Sequence, residues 1–410
     1  MSNSNEHFQF TDERFADLQM LRYRLNGFED LTLSQQIYIY CLAKATLMGR
    51  DITFDQQGKY NLRIRKTLEA IYKHYDGDRT SDDFKALEVY LKRVWFSSGI
   101  YHHYGCEKFK PGFSEHFFYE AVSLMPETEL PLRRGETKED LLDELVPVIF
   151  DEEVLPKRVN QTDGVDLVAT SACNFYEDVT QDEVERFYAR LKDGEDLTPP
   201  SYGLNSKLMK RNGEIVEKTW KEEGMYGSAI KEIISWLLKA QKYTENEQQA
   251  HVIDLLIKYY RTGDLSDFDR YSIAWVKQQE GMVDFINGFI EVYGDPLGLK
   301  GTWEGLVEFK DMEATRRTQA ISQNAQWFED HSPVAPQFKK AEVKGVTAHV
   351  ICAAMLGGDE YPASAIGINL PNANWIRETH GSKSVTIGNL TEAYNKAAHG
   401  NGFLDEFVVD

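Results

Sequence analysis

Paired cysteines are missing from this sequence. Its 410 residues hold four, Cys41, Cys106, Cys173 and Cys352, far apart and never spaced Cys-x-x-Cys. That argues against a disulfide framework and for free thiols in a reducing compartment. Positive charge is also short: 46 lysines and arginines face 66 acidic residues, for a net charge of −20. A uniformly acidic surface repels phosphate backbones, so nucleic acid is not an expected partner. Basic peptides or amines would be attracted at long range, although acidity is equally a route to solubility. No apolar run reaches the roughly 18 residues that a membrane span needs. The opening stretch MSNSNEHFQFTDERF is polar and acidic, unlike a signal peptide. These features predict a soluble, cytoplasmic protein without a membrane partner.

Familiar catalytic signatures are absent as well. There is no Gly-x-x-x-x-Gly-Lys, no Gly-x-Ser-x-Gly and no His-Glu-x-x-His. Gly400-Asn401-Gly402 lacks the last glycine of a dinucleotide fingerprint. His116 and Glu120 are spaced for one helix face, but no third ligand is in view, so an ordinary helix is the simpler reading. His102 and His103 are adjacent, which points their rings apart on a regular element and makes a poor chelate.

What is present is a helix-rich α+β pattern, 42% hydrophobic and able to bury a core. Thr32 with Gln35, Thr80 with Asp83, and Thr180 with Glu183 predict helix starts. Apolar stripes follow: Phe84, Leu87, Leu91, Val94 and Trp95; Val184, Phe187, Tyr188 and Leu191; Ile230, Ile233, Ile234, Leu237 and Leu238; Val252, Leu255, Leu256 and Tyr259. Such stripes are core faces. Asn212-Gly213 predicts a type I′ hairpin turn. VKGVTAHVICAAML and SKSVTIGNL fit strands or short helices, with β-branched residues favouring strand for part of each. DLTPPSYG and HSPVAPQF are loops, the second a plausible crossing between lobes.

Three segments mix aromatics with a few fixed polar groups: SGIYHHYGCEKFKPGF, WVKQQEGMVDFINGFIEVYGDPLGLKGTWEG and IGINLPNANWIRETHG. In the second, Glu291 and Tyr293 are two apart, so on extended backbone they face the same way. In the third, Asn369 and Asn372 flank Pro371; Asn beside Pro is also ordinary turn chemistry. Three unrelated surface loops would fit these residues. So would an oligopeptide cleft, where strand pairing gives affinity and placed carboxylates and amides hold a free amino end.

Taken together, GFIEVYGDPLGLKGTWEG, GINLPNANWIRETHGSKSVTIGN and, more loosely, SGIYHHYGCEKFKP resemble the dipeptidyl peptidase III family. These are zinc peptidases that release dipeptides from the N-termini of short peptides. The resemblance implies two lobes around a cleft, one mixed with a small β-barrel core surrounded by helices, the other helical and zinc-bearing. It implies a substrate lobe over 1–311 and 353–398, an excursion toward the zinc lobe over 312–352, and the truncated start of that lobe over 399–410. By resemblance Glu291 and Tyr293 bind the peptide's ammonium. Asn369 and Asn372 hold its first residues, and the strand from Gly367 to Leu370 pairs with it. Arg377 is a cleft arginine, and Tyr104 lines the first subsites. Asn374 departs from the family, which often has Asp there.

The family's His-Glu-x-x-Gly-His zinc motif, whose Glu activates the zinc-bound water, is not in this sequence, and neither EEVLPK nor EEGMYG fits its second motif. The chain stops at Asp410, about where a family chain would reach the zinc motif. The resemblance therefore implies a zinc dipeptidyl peptidase seen without its zinc ligands and inactive alone. The alternative is a complete, catalytically inactive peptide-binding module.

Overall fold

The structure, a computed structural model, describes residues 8–343, 346–362 and 364–397. The expected lobe start at 399–410 and the Gly400–Gly402 glycines lie outside these residues. The described chain is α+β and helix-rich. In its first half lie α1 (Leu33–Met48), α2 (Arg50–Gln56), α3 (Asn61–His74), α4 (Asp82–Phe96), α5 (Glu115–Leu124), α6 (Lys138–Phe150) and α7 (Gln181–Ala189). In its second half lie α8 (Gly227–Ala240), α9 (Glu247–Thr262), α10 (Leu265–Lys277), α11 (Met312–Gln323), α12 (Ala325–His331), α13 (Asn374–His380) and α14 (Gly388–Ala397).

Local side-chain chemistry sets several of these starts. The Thr32–Gln35 and Thr180–Glu183 pairs close reciprocal capping boxes at α1 and α7. The start of α4 falls one residue later than expected. Thr80 is taken up by Asp78, and the Ser81 side chain accepts the Phe84 N–H instead. Asp83 is then free to accept the Ser114 N–H at 2.6 Å. The stripes are buried largely as expected, but Trp95, Leu191 and Leu238 sit at their exposed margins.

A short hairpin joins β1 (Thr11–Phe15) and β2 (Leu18–Leu21). A three-stranded sheet contains β3 (Tyr176–Glu177), β4 (Ser206–Arg211) and β5 (Glu214–Thr219). The β4–β5 turn has φ of 52° at Asn212 and 83° at Gly213, as a type I′ turn requires.

The central sheet carries the site. It comprises β6 (Val283–Glu291), β7 (Thr302–Lys310), β8 (Val346–Gly358), β9 (Gly367–Leu370) and β10 (Ser382–Ile387), in the order β6-β7-β8-β10-β9. All pairs are antiparallel except β8 with β10. The boundary expected between 352 and 353 falls inside β8. Among the described residues no ladder joins β6 to β9, so the expected barrel is not closed by hydrogen bonds. The two edge strands nevertheless line one cavity, so the sheet curls toward itself.

The convex face packs on α1. Trp303 of β7 lies so close to Gly49 that a Cβ there would meet the indole at 2.3 Å, so only glycine fits. The concave face is covered by α10, whose Trp275 Nε1 donates to Asp284 Oδ1 at 3.1 Å and to the Phe285 carbonyl at 3.0 Å. A second core, built from α3 to α6, lies apart from the sheet.

Candidate functional site: a free strand edge ending at a carboxylate

Among the described residues β9 has β10 as its one neighbour. Their register pairs Thr386 with Gly367, Val385 with Ile368, Ser384 with Asn369 and Lys383 with Leu370. The Ile387 N–H donates to the Ile366 carbonyl at 2.8 Å, so Ile366, Ile368 and Leu370 are the residues bonded to β10. In an antiparallel pair the alternate residues point their N–H and C=O the other way. Gly367 and Asn369 therefore present both backbone groups to an unpaired edge, which is a template for another extended chain. The side chains alternate accordingly: Ile368 and Leu370 are buried, Gly367 and Asn369 exposed.

Just beyond this strand, the Asn372 Nδ2 donates to Glu291 Oε1 at 3.2 Å. Glu291 ends β6, after a bulge between Phe289 and Glu291. Such a bulge re-aims a side chain at a strand end. Glu291, Tyr293 and Asn372 all line a cavity of about 740 Å³ between the two edge strands. Tyr293 stands 81% exposed at its mouth. The structure thus brings Glu291, Tyr293 and Asn372 to one place and sets Gly367 and Asn369 on the adjoining edge. Arg377 follows on α13, half-buried, with no acidic partner in ion-pair reach among the described residues. Tyr104 is not part of the cavity wall; it sits exposed on a separate turn, its N–H donating to His102 Nδ1.

The rest of the Gly-Asp-Pro-Leu-Gly-Leu-Lys motif holds the loop in place. Buried Asp295 accepts the N–H groups of Leu297, Leu299 and Lys300 and the Tyr176 hydroxyl at 2.8 Å. Burial pushes its carboxyl above the usual range, and these donors pull it back. Lys300 is fully buried, bonded to Tyr188 and Ser206. Loss of solvation lowers its ammonium to about 8.

Sequence reasoning missed the acids behind Glu291. Glu304 of β7 is buried with neither carboxylate oxygen hydrogen-bonded. Its carboxyl is raised first by burial and then by Glu360, Asp359 and Glu291. Glu360 is likewise lifted, to about 7, by burial and then by Asp359 and Glu291. Asp359 is raised by burial and opposed by Arg158, whose Nη2 donates to the His103 carbonyl at 3.1 Å. Among the described residues, no three His, Cys, Asp or Glu side chains converge to hold a metal ion.

The family model of peptidase family M49 matches residues 202–408, half of the chain, and the chain belongs to that family. Dipeptidyl peptidase 3 of Homo sapiens is 24% identical over 414 residues, covering 93% of this chain and 55% of that protein. The chain thus spans about half the length of the curated relatives it matches. The solved DPP III of Caldithrix abyssi superposes with a TM-score of 0.63 at 19% identity, covering 89% of this chain and 57% of the other. The dipeptidyl-peptidase III of Corallococcus sp. strain EGB gives 0.64 at 16%, over 91% and 57%. At these identities the superpositions speak to the fold.

Proposed function

We propose that this chain is the peptide-binding lobe of a dipeptidyl peptidase III-like enzyme that releases dipeptides from the free N-termini of short peptides. The observation that carries the reading is the Glu291–Asn372 contact at the end of the free β9 edge. A peptide pairing antiparallel to β9 has its first residue at the Leu370–Asn372 end. Its ammonium then meets the Glu291 carboxylate, a charge-assisted contact, with Tyr293 beside it. Asn369 and Gly367 supply backbone pairing, and the missing side chain of Gly367 leaves room for close approach. Arg377 is a cleft arginine, and Tyr104, on its own exposed turn outside the cavity wall, is the aromatic residue of the first subsites. The substrate lobe comprises 1–311 and 353–398, with 312–352 reaching toward a second lobe, and the curled sheet is the barrel of the family fold. The protein works in the cytoplasm.

Zinc is the family's expected cofactor, but the described residues bring together no set of His, Cys, Asp or Glu side chains that fits it. The 410-residue chain is expected to bind peptides without stoichiometric zinc and without hydrolysing them. The same observations serve an inactive peptide-binding module. Titration with a tetrapeptide bearing a free amine and with its N-acetylated form tests the reading. Binding of the first and not the second supports it; equal binding of both, or of neither, refutes it.

A further inference from the structure

The acids behind Glu291 form a cluster short of positive charge. Glu291 is paired with Thr302, and Glu304 stands two residues further along β7, on the same face. Gly358, which ends β8, is paired with Glu304, and Asp359 and Glu360 follow it. The Asp359 N–H donates to the Trp303 carbonyl at 3.1 Å, which ties this turn to β7. Glu304 is 1% exposed, and neither carboxylate oxygen has a hydrogen-bond partner. Glu360 is buried too and accepts the Ser364 hydroxyl at 3.3 Å. Tyr271 faces Glu304 from α10, and Glu308 lies further along the same face of β7, within the field of Glu360. Arg158 is the cation on this side, and it acts on Asp359. Buried carboxylates so placed keep their protons, because the bare charge would cost more. Glu360, lifted to about 7 by burial, then Asp359 and Glu291, is close to half protonated at neutral pH. Glu304 holds its proton more firmly.

We infer that a peptide's ammonium, on reaching Glu291, drives a proton off the Glu304–Glu360 pair, so that the protein exchanges one cation for another and binds peptides more tightly as pH rises through neutrality. This exchange rests on the peptide-binding reading above. The negative charge of Glu291 helps to hold its neighbours' protons in place. A positive charge set against Glu291 cancels that repulsion, and a carboxyl beside it ionises more readily. One carboxyl O–H bond breaks, its proton passes to solvent, and the ammonium keeps its own protons. A ligand that favours the ionised pair shifts the pair toward it, and its affinity climbs with pH by the number of protons released. The gain is confined to the interval between the bound and free values of the pair. Below that interval the pair stays protonated throughout; above it the pair is already ionised.

The test is calorimetric titration of the 410-residue chain with one free-amine tetrapeptide at pH 7, in phosphate and in Tris. The two buffers differ in ionisation enthalpy, so the difference in apparent binding enthalpy counts the protons exchanged. A carboxyl half protonated at pH 7 and lowered by one unit gives up about 0.4 of a proton. Release of that order is expected, and its loss in Glu304→Gln/Glu360→Gln. Asp269 lines the cavity beside Glu291, and burial, then Asp264, lift its carboxyl to about 7, so it is the competing source. Release that persists in the double variant overturns the inference. If that variant does not fold, as judged by circular dichroism, Asp269→Asn decides: release is expected to survive there, and its loss overturns the inference. Equal enthalpies in the two buffers, or net uptake, with binding intact also overturn it and leave the peptide-binding reading standing. Absence of binding overturns both.

Discussion

Lys383 and Asp284 meet at 2.6 Å, Nζ to Oδ2, although their strands β10 and β6 are separated in the sheet by β7 and β8. The pair spans the concave face, and the Lys383 ammonium also lies 4.2 Å from the centre of the Trp275 ring. Removing one partner leaves the other charge buried. Lys383→Met should therefore destabilise the chain by about 3 kcal/mol or more in urea denaturation, and the double variant Asp284→Asn/Lys383→Met by less. Equal costs for single and double variants would mean that the pair does not bridge the sheet.

Glu308 lies beside this pair, buried, with its carboxyl raised to about 8 by desolvation first and Asp284 next, opposed by Lys383. Its folded pKa is thus above its unfolded value near 4.3. No penalty exists below the unfolded value; stability is lost as pH rises from there through the folded value. Glu308→Gln removes that loss. Thermal melts from pH 5 to pH 9 should fall less steeply for the variant than for the wild type. Parallel curves would contradict the burial of this carboxyl.

The free edge of β9 makes a backbone prediction. The Asn369 N–H points away from β10, so proline there spares the ladder, whereas the Ile368 N–H is bonded into it. Asn369→Pro should lower peptide affinity about tenfold with little change in melting temperature, and Ile368→Pro should destabilise the fold. The two measurements are calorimetric titration and thermal denaturation. Loss of stability in both variants would place the edge differently.

The turn at Asn212-Gly213 gives a local check. Gly213 sits at φ of 83°, so Gly213→Ala should cost about 1 kcal/mol in urea denaturation without changing peptide binding.

Much of this was legible in the sequence where the signal is local. The capping boxes at Thr32 and Thr180 and the Asn212-Gly213 hairpin follow from side chains within a few residues. The cap at Ser81 was not legible, because Thr80 and Ser81 compete and Asp78 decides between them. The acids of β7 were hidden by their own pattern. Alternation in TWEGLVEFK sets Trp303, Val307 and Phe309 on one face and Glu304, Leu306 and Glu308 on the other, which reads as a half-exposed strand. Curling of the sheet buries both faces, and no window of sequence contains that. The approach of Asn372 to Glu291 joins residues 81 apart and was reached through resemblance. Tyr104, named by the same resemblance, lies outside the cavity wall.

In the proposed function Glu291, backed by Asn372, receives a peptide's ammonium. The most direct measurement is calorimetric titration of wild type, Glu291→Gln and Asn372→Ala with one free-amine tetrapeptide at pH 7. At least about a tenfold loss of affinity is expected for Glu291→Gln, since a charge-assisted contact of roughly 1.5–3 kcal/mol is removed, and a smaller loss for Asn372→Ala. Unchanged affinity in Glu291→Gln, with the fold intact, would contradict it.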